Sequence, residues 1–290
     1  MILQNSKNFI NKAGSLPALT DEERLLISRA AELSARCDYS AVASCFLSPR
    51  EQRILFESGA AAGGFFYGGA LGATRRKLVF LPGWIECDNS ACDNAFSPEK
   101  ELQLEELLSS YGCEDMMSEF YVPLHLKCSG YEKLSHRDWL GSLMALGIKR
   151  ETVGDICFFE GKAYVFAEPK AAAYIENELK RAGRAKVSAE ICSLPEDFRI
   201  ELNNENVSTT VASPRIDGVV RALCNMSRDD AAQLVESGFV ELNYFTETEV
   251  DAKISGGEII SVRGHGKYIV DSADEQTKKG RVRIAARKLV

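Results

Sequence analysis

The chain has 290 residues, carries a formal net charge of −7 and is 45% hydrophobic. It is longer than one average domain and too apolar for a disordered chain. No apolar run reaches the roughly 18 residues of a membrane-spanning helix, and the opening "MILQNSKNFINKAG" lacks the charged start and long apolar stretch of a secretory signal. The nine cysteines are scattered without a C-x-x-C pair, the usage of reduced thiols rather than a disulfide framework. A negative total argues against nucleic acid only if the charge is evenly spread, because a phosphate responds to the local field. It is not evenly spread: residues 1–130 hold 12 basic and 17 acidic residues, whereas 263–290 hold eight basic and three acidic ones.

In chain order, "TDEERLLISRAAELSARCD" (20–38) reads as a helix, with Thr20 and Glu23 forming a capping box and Leu26, Ala30 and Leu33 on one face. "SPREQRILFESG" (48–59) is a second helix, capped by Ser48 and stopped by Gly59. A hairpin is predicted with strands near 64–68 and 77–82, then a helix over 97–112. From 118 the order is strand (118–127), helix (135–147), hairpin around Gly161, helix (169–183) and strand (185–192), the order of a ferredoxin-like split βαβ fold. Residues 193–214 are expected to carry a short strand and a linker. The predicted class is α+β: a mainly helical region over 1–75, an α/β domain over 76–200 and a C-terminal domain over 208–290.

The last domain has the clearest punctuation. A helix runs from Ser213-Pro214 to about Cys224, with Ile216, Val219, Val220 and Leu223 on one face. Ser227 caps the next helix, Asp230 closes a capping box and Gly238 stops it. Val240 and Leu242, then "EIISVRG" and "HGKYIVDSADEQTKKGRVRIAARKL", alternate as strands.

Other constellations lack the spacing that their chemistry needs. "HRD" (136–138) matches the first letters of a kinase catalytic loop, but position 143 is Leu143 instead of the required Asn, so Ser135 and Asp138 read as caps with His136 and Arg137 facing out. "GGFFYGGALGATRR" has neither G-K-[ST] nor G-x-G-x-x-G. Arg75, Arg76 and Lys77 form a basic cluster open to two readings, an RNA face or strand-edge charges. His125, Cys128, His136, Cys87 and Cys92 fit no zinc spacing. No catalytic set, metal or cofactor is expected.

"SPRIDGVV", "MSRDDAAQLVESGFVELN" and "GGEIISVRGHGKY" together resemble an S4 RNA-binding domain. With "HRDWLGSLMALGIKRETVGDI" and "TKKGRVRI", nearly the whole chain resembles the bacterial YlmH-like S4 proteins, most loosely before residue 45. The resemblance implies a non-enzymatic RNA-binding protein that meets rRNA and tRNA on the large ribosomal subunit, in quality control of stalled peptidyl-tRNA, within the cytoplasm. It makes Arg215 and Arg228 the leading RNA contacts, with Ser227, Asn243, Arg263, Lys267, Lys278, Lys279 and Arg281 completing the surface. Asp229 and Asp230 stand where related domains often carry serine or lysine, and Tyr244-Phe245 could stack on a base or pack on the sheet. Phe158 and Phe159 could present rings to RNA or serve the core. The rival readings are an RNA-modifying enzyme with an appended S4 domain and a protein-binding adaptor.

Overall fold

A computed structural model describes residues 19–86, 98–129, 134–195, 197–200, 204–277 and 280–289. The chain divides into two compact units, Met1–Ile200 and Glu201–Val290.

The first unit begins with α1 (Asp21–Ser34), β1 (Val42–Ala43), α2 (Pro49–Glu57), β2 (Phe65–Tyr67), β3 (Lys77–Phe80) and α3 (Pro98–Ser110). Both expected capping boxes form, Thr20 with Glu23 and Ser48 with Glu51. The buried face of α1 is Ile27, Ala30 and Ala31, one step round from the expected Leu26–Ala30–Leu33 stripe. The three strands make a sheet in the order β1-β3-β2. A boundary between residues 75 and 76 would cut this sheet, because β2 pairs with β3 along Phe65↔Val79 to Tyr67↔Lys77.

The same unit continues with β4 (Val122–Ser129), α4 (His136–Ala145), β5 (Val153–Phe159), β6 (Lys162–Ala167), α5 (Pro169–Glu178), β7 (Arg181–Ala182) and β8 (Ala185–Ile191). The strands lie β5-β6-β4-β8-β7, and every neighbour is antiparallel. Alternate residues serve two cores: Leu124, Leu126 and Val165 pack with Trp139, Leu143 and Ile175 of the helices, while Tyr164 and Phe166 pack with Phe46, Tyr121 and Phe198. The helix predicted over 169–183 ends at Glu178. Leu179, fully buried, leaves the helical region at ψ 101°, and the chain doubles back as the β7–β8 hairpin. Gly183 therefore serves a tight hairpin turn at φ +58° instead of stopping a helix.

The second unit contains β9 (Asn204–Val211), α6 (Ile216–Cys224), α7 (Arg228–Glu236), β10 (Val240–Leu242), β11 (Phe245–Thr246), β12 (Ile259–Val262), β13 (Gly266–Ser272) and β14 (Val282–Leu289). Its antiparallel sheet runs β11-β10-β12-β13-β14-β9. Val219, Val220 and Leu223 of α6 and Ala231 and Val235 of α7 share a core with Ile260, Val262, Tyr268, Val270, Ile284 and Ala286 of the sheet. Asn225 ends α6 in the left-handed region at φ +53°, and Gly238 lies beyond the end of α7 at φ +71°. The short strand expected before 214 is eight residues long and pairs with β14 from Val211↔Val282 to Asn204↔Leu289. A domain start at 208 would thus divide β9.

The loop after β2 is fitted closely to the larger sheet of its unit. A Cβ on Gly69 (φ +97°) would lie 2.5 Å from the Phe166 ring. Gly69→Ala combines that overlap with a strained backbone, so it should cost about 2–3 kcal/mol. A chemical-denaturation midpoint equal to the wild type would contradict this packing.

Candidate nucleic-acid interface

The C-terminal unit is organised around Asp217, the second residue of α6, which is 3% exposed. Burying a carboxylate costs several kcal/mol unless donors replace its water. Here three groups do so. The Gly218 N–H donates to Oδ1 (2.8 Å), Arg215 Nε donates to Oδ1 (3.3 Å), and Arg228 donates to Oδ2 through Nε (3.1 Å) and Nη2 (2.9 Å). Burial alone would raise the Asp217 pKa. The Arg228 hydrogen bonds, the Gly218 amide and the fields of Arg215 and Arg228 overcome it and hold the carboxyl below its ordinary range.

This arrangement brings together the two arginines singled out in the sequence. Arg215 precedes α6 and Arg228 opens α7, yet both guanidinium groups converge on one carboxylate. The Arg228 side chain remains 64% exposed and that of Arg215 37%, so edges turned away from Asp217 face solvent. A guanidinium fixed along one edge presents its other donors in the planar geometry that suits phosphate oxygens. Lys253, exposed, adds a cation beside them: its backbone bridges to Arg215, while Ile216 N–H donates to Ala252 O (2.8 Å) and Ile254 N–H to Pro214 O (2.7 Å).

The other predicted residues that are described have partners of their own. Ser227 is an N-cap: its hydroxyl accepts from the Asp230 N–H (3.1 Å) and donates to Asp230 Oδ2 (2.6 Å). The Asp230 carboxylate thus takes the hydroxyl proton and not the Ser227 N–H that a capping box would supply. Asn243, at φ +52°, pins the β10–β11 turn to β12, accepting from Ile259 N–H (3.0 Å) and donating to Glu258 Oε1 (3.1 Å). The Arg263 guanidinium lies 5.2 Å from the Phe239 ring centroid, and Lys267 Nζ lies 4.8 Å from that of Tyr244. Burial lowers the Lys267 pKa, partly offset by Glu241. Arg281 donates from Nη2 to the Thr210 carbonyl (2.7 Å). The register puts it at the far end of the sheet from Lys267, since Lys267 faces Leu289 whereas Val282 faces Val211. The eight steps from Arg281 to Leu289 make that separation about 26 Å. Lys278 and Lys279 lie outside the described residues. Sequence reading missed Asp217, Lys253 and Phe239; for Asp217 the available signal was its place two residues after Arg215 in "RID".

In the first unit the cluster at 75–77 is turned inward. Arg75 donates to the Phe46 carbonyl (2.9 Å), Arg76 pairs with buried Glu101 (2.8 Å), and buried Lys77 pairs with Glu168 (2.6 Å). Phe159 packs on Phe198 at 5.0 Å, a core contact. Phe158 is 47% exposed and borders one hollow with His125, Lys127, Trp139 and Lys162. Burial, then Lys127 and Lys162, lowers the pKa of His125, with Glu190 opposing.

Comparison with known proteins finds likeness in one segment of the first unit and along most of the chain. Residues 126–196 match the family model described as "Putative RNA-binding domain in YlmH", which takes in most of the β4–β8 sheet with α4 and α5. The chain is 27% identical over 267 residues to the ribosome-associated protein quality control protein P2 of Bacillus subtilis, covering 91% of this chain and 94% of that one. The chain is thus similar to YlmH-type proteins. Among solved structures it is similar to the cell division protein ylmH from Streptococcus pneumoniae, at 17% identity and a TM-score of 0.39, covering 61% of this chain and 94% of that one.

Asp217→Ala should remove about 1–3 kcal/mol of local stability, because it abolishes the charge-assisted hydrogen bonds between α6 and α7. The check is faster amide exchange across 214–238. A folded-state pKa below the unfolded value means that this stabilisation is complete above about pH 4 and lost as the pH falls through the folded value. The wild type and variant should therefore converge on acidification, and equal exchange at pH 7 would refute the role.

Proposed function

We propose that this protein binds RNA on the ribosome, without catalysis, and that its C-terminal unit is an S4 domain whose Arg215–Asp217–Arg228 group grips phosphates. The observation carrying this reading is the convergence of two half-exposed guanidinium groups on one buried carboxylate. It occurs in a chain similar over 91% of its length to a ribosome-associated quality control protein. The strand order of the first unit's larger sheet is read as ferredoxin-like, and its match to an RNA-binding domain supports a second RNA surface there. The finer assignment is to the large subunit, with rRNA and tRNA as ligands and stalled peptidyl-tRNA as the state that is held, in the cytoplasm. Shape and phosphate contacts are the means by which folded RNA is recognised.

An RNA-modifying enzyme would need a buried acid poised in a cavity. Glu101 is buried, and burial raises its pKa, with Arg76 and the Gly72 amide acting against it. Its carboxylate is held by the fold, however, in an ion pair with Arg76 at one oxygen and a hydrogen bond from the Gly72 N–H (2.9 Å) at the other. Binding remains the better reading.

RNA crosslinked in cells should be enriched in large-subunit rRNA and tRNA, and the Arg215→Ala/Arg228→Ala variant should lose most of it. Purified, that variant should show a salt slope shallower by about one for each phosphate it no longer neutralises. An unchanged set of crosslinked RNAs in the variant would reject the site; wild-type crosslinks without rRNA or tRNA would reject the function.

A further inference from the structure

A groove of about 370 Å³ runs beside α7 in the second unit, bordered by Met226, Asp230, Gln233, Leu234, Phe239 and His265. Phe239 is an aromatic residue left 40% exposed in a unit whose other described large apolar side chains are covered more fully. Its position is fixed from both sides. The Phe239 N–H donates to Leu234 O (2.9 Å), ending α7, and its carbonyl accepts from the Arg263 N–H (2.9 Å), continuing β10 toward β12. The Arg263 guanidinium lies over the ring at 5.2 Å. Stacking of this kind pre-sets a planar cation beside a planar apolar surface.

We propose that this groove receives one unpaired nucleobase of the RNA whose phosphates lie on Arg215 and Arg228. The inference rests on the RNA-binding reading above and names what that unit recognises beyond charge. The chemistry matches a base better than a protein segment. Three apolar side chains, Met226, Leu234 and Phe239, make a patch of about one ring's size, whereas a docking helix needs an apolar stripe several turns long. Around it stand hydrogen-bonding groups able to meet the edge of a base: the Asp230 carboxylate, the Gln233 amide and the His265 imidazole. The charge at the groove is mixed: the Arg263 cation lies over the ring and the Asp230 carboxylate stands in the α7 wall. The volume falls within the roughly 300–1,000 Å³ of sites that hold small planar ligands.

The test uses the full chain and two RNA hairpins, one fully paired and one with a single unpaired 2-aminopurine. The wild type should prefer the bulged hairpin and quench its fluorescence. Phe239→Ala should lose roughly ten- to a hundredfold in affinity for the bulged hairpin, the scale of one base–aromatic stack, with the paired hairpin and the salt slope unchanged. Phe239→Trp should restore both the preference and the quenching, which separates stacking from a folding defect. Equal affinity of the wild type for both hairpins, without quenching, would overturn the groove assignment while leaving phosphate binding intact. Failure of the wild type to bind either hairpin at low salt would overturn both.

Discussion

A carboxylate withdrawn from water must be surrounded by donors, and in this protein that requirement shapes the candidate surface. Asp217 binds the start of its own helix through Gly218, the residue before that helix through Arg215, and the next helix through Arg228. Removing the carboxylate would release two long cationic side chains whose rotamer freedom opposes any fixed geometry. Retaining it halves their combined charge but leaves them oriented. The arrangement exchanges raw attraction for direction, a reasonable exchange where recognition depends on shape and on where phosphates sit.

The same logic accounts for an acidic protein with a proposed polyanionic partner. The negative excess lies in residues 1–130, and several cations that looked available are spent internally, such as Arg76 on Glu101 and Lys77 on Glu168. Within the second unit the cations are also unequal. Arg287 is paired with Asp271 at 2.9 Å and Arg281 with a backbone carbonyl, whereas Arg228 keeps most of its side chain in solvent. Counting charges along a sequence cannot separate these cases, because the partner that neutralises a cation comes from a distant strand or helix.

Local rules were legible where the chemistry is local. The caps at Thr20, Ser48, Ser135 and Ser227 were readable because each bonds to an amide three residues on. Strands β12, β13 and β14 were readable from their alternation, although a shift between Val270 and Ser272 interrupts the β13–β14 register. The misreadings arose where long-range pairing decides. "NENVSTTV" has too little apolar periodicity to announce an eight-residue strand, yet β14 supplies a full set of backbone partners. Gly183 resembles a helix stop in the sequence, but Leu179 is anchored in the core and β7 pairs with β8. Asn243 is polar and lies in the motif, but its turn role, with the amide bonded to Ile259 and Glu258, comes from pairing that the sequence does not display. Asp217 is legible as a member of "RID", but its partner is not, since an arginine eleven residues later turns back to it.

The most direct test observes the arginine side chains themselves, by NMR of the Nε–H groups in labelled full-length protein. The account predicts that Arg215 and Arg228 give slowly exchanging, dispersed signals in the free protein, and that both shift when a ribosomal RNA fragment is added. Signals that average with those of solvent-exposed arginines and stay unmoved by RNA would contradict it.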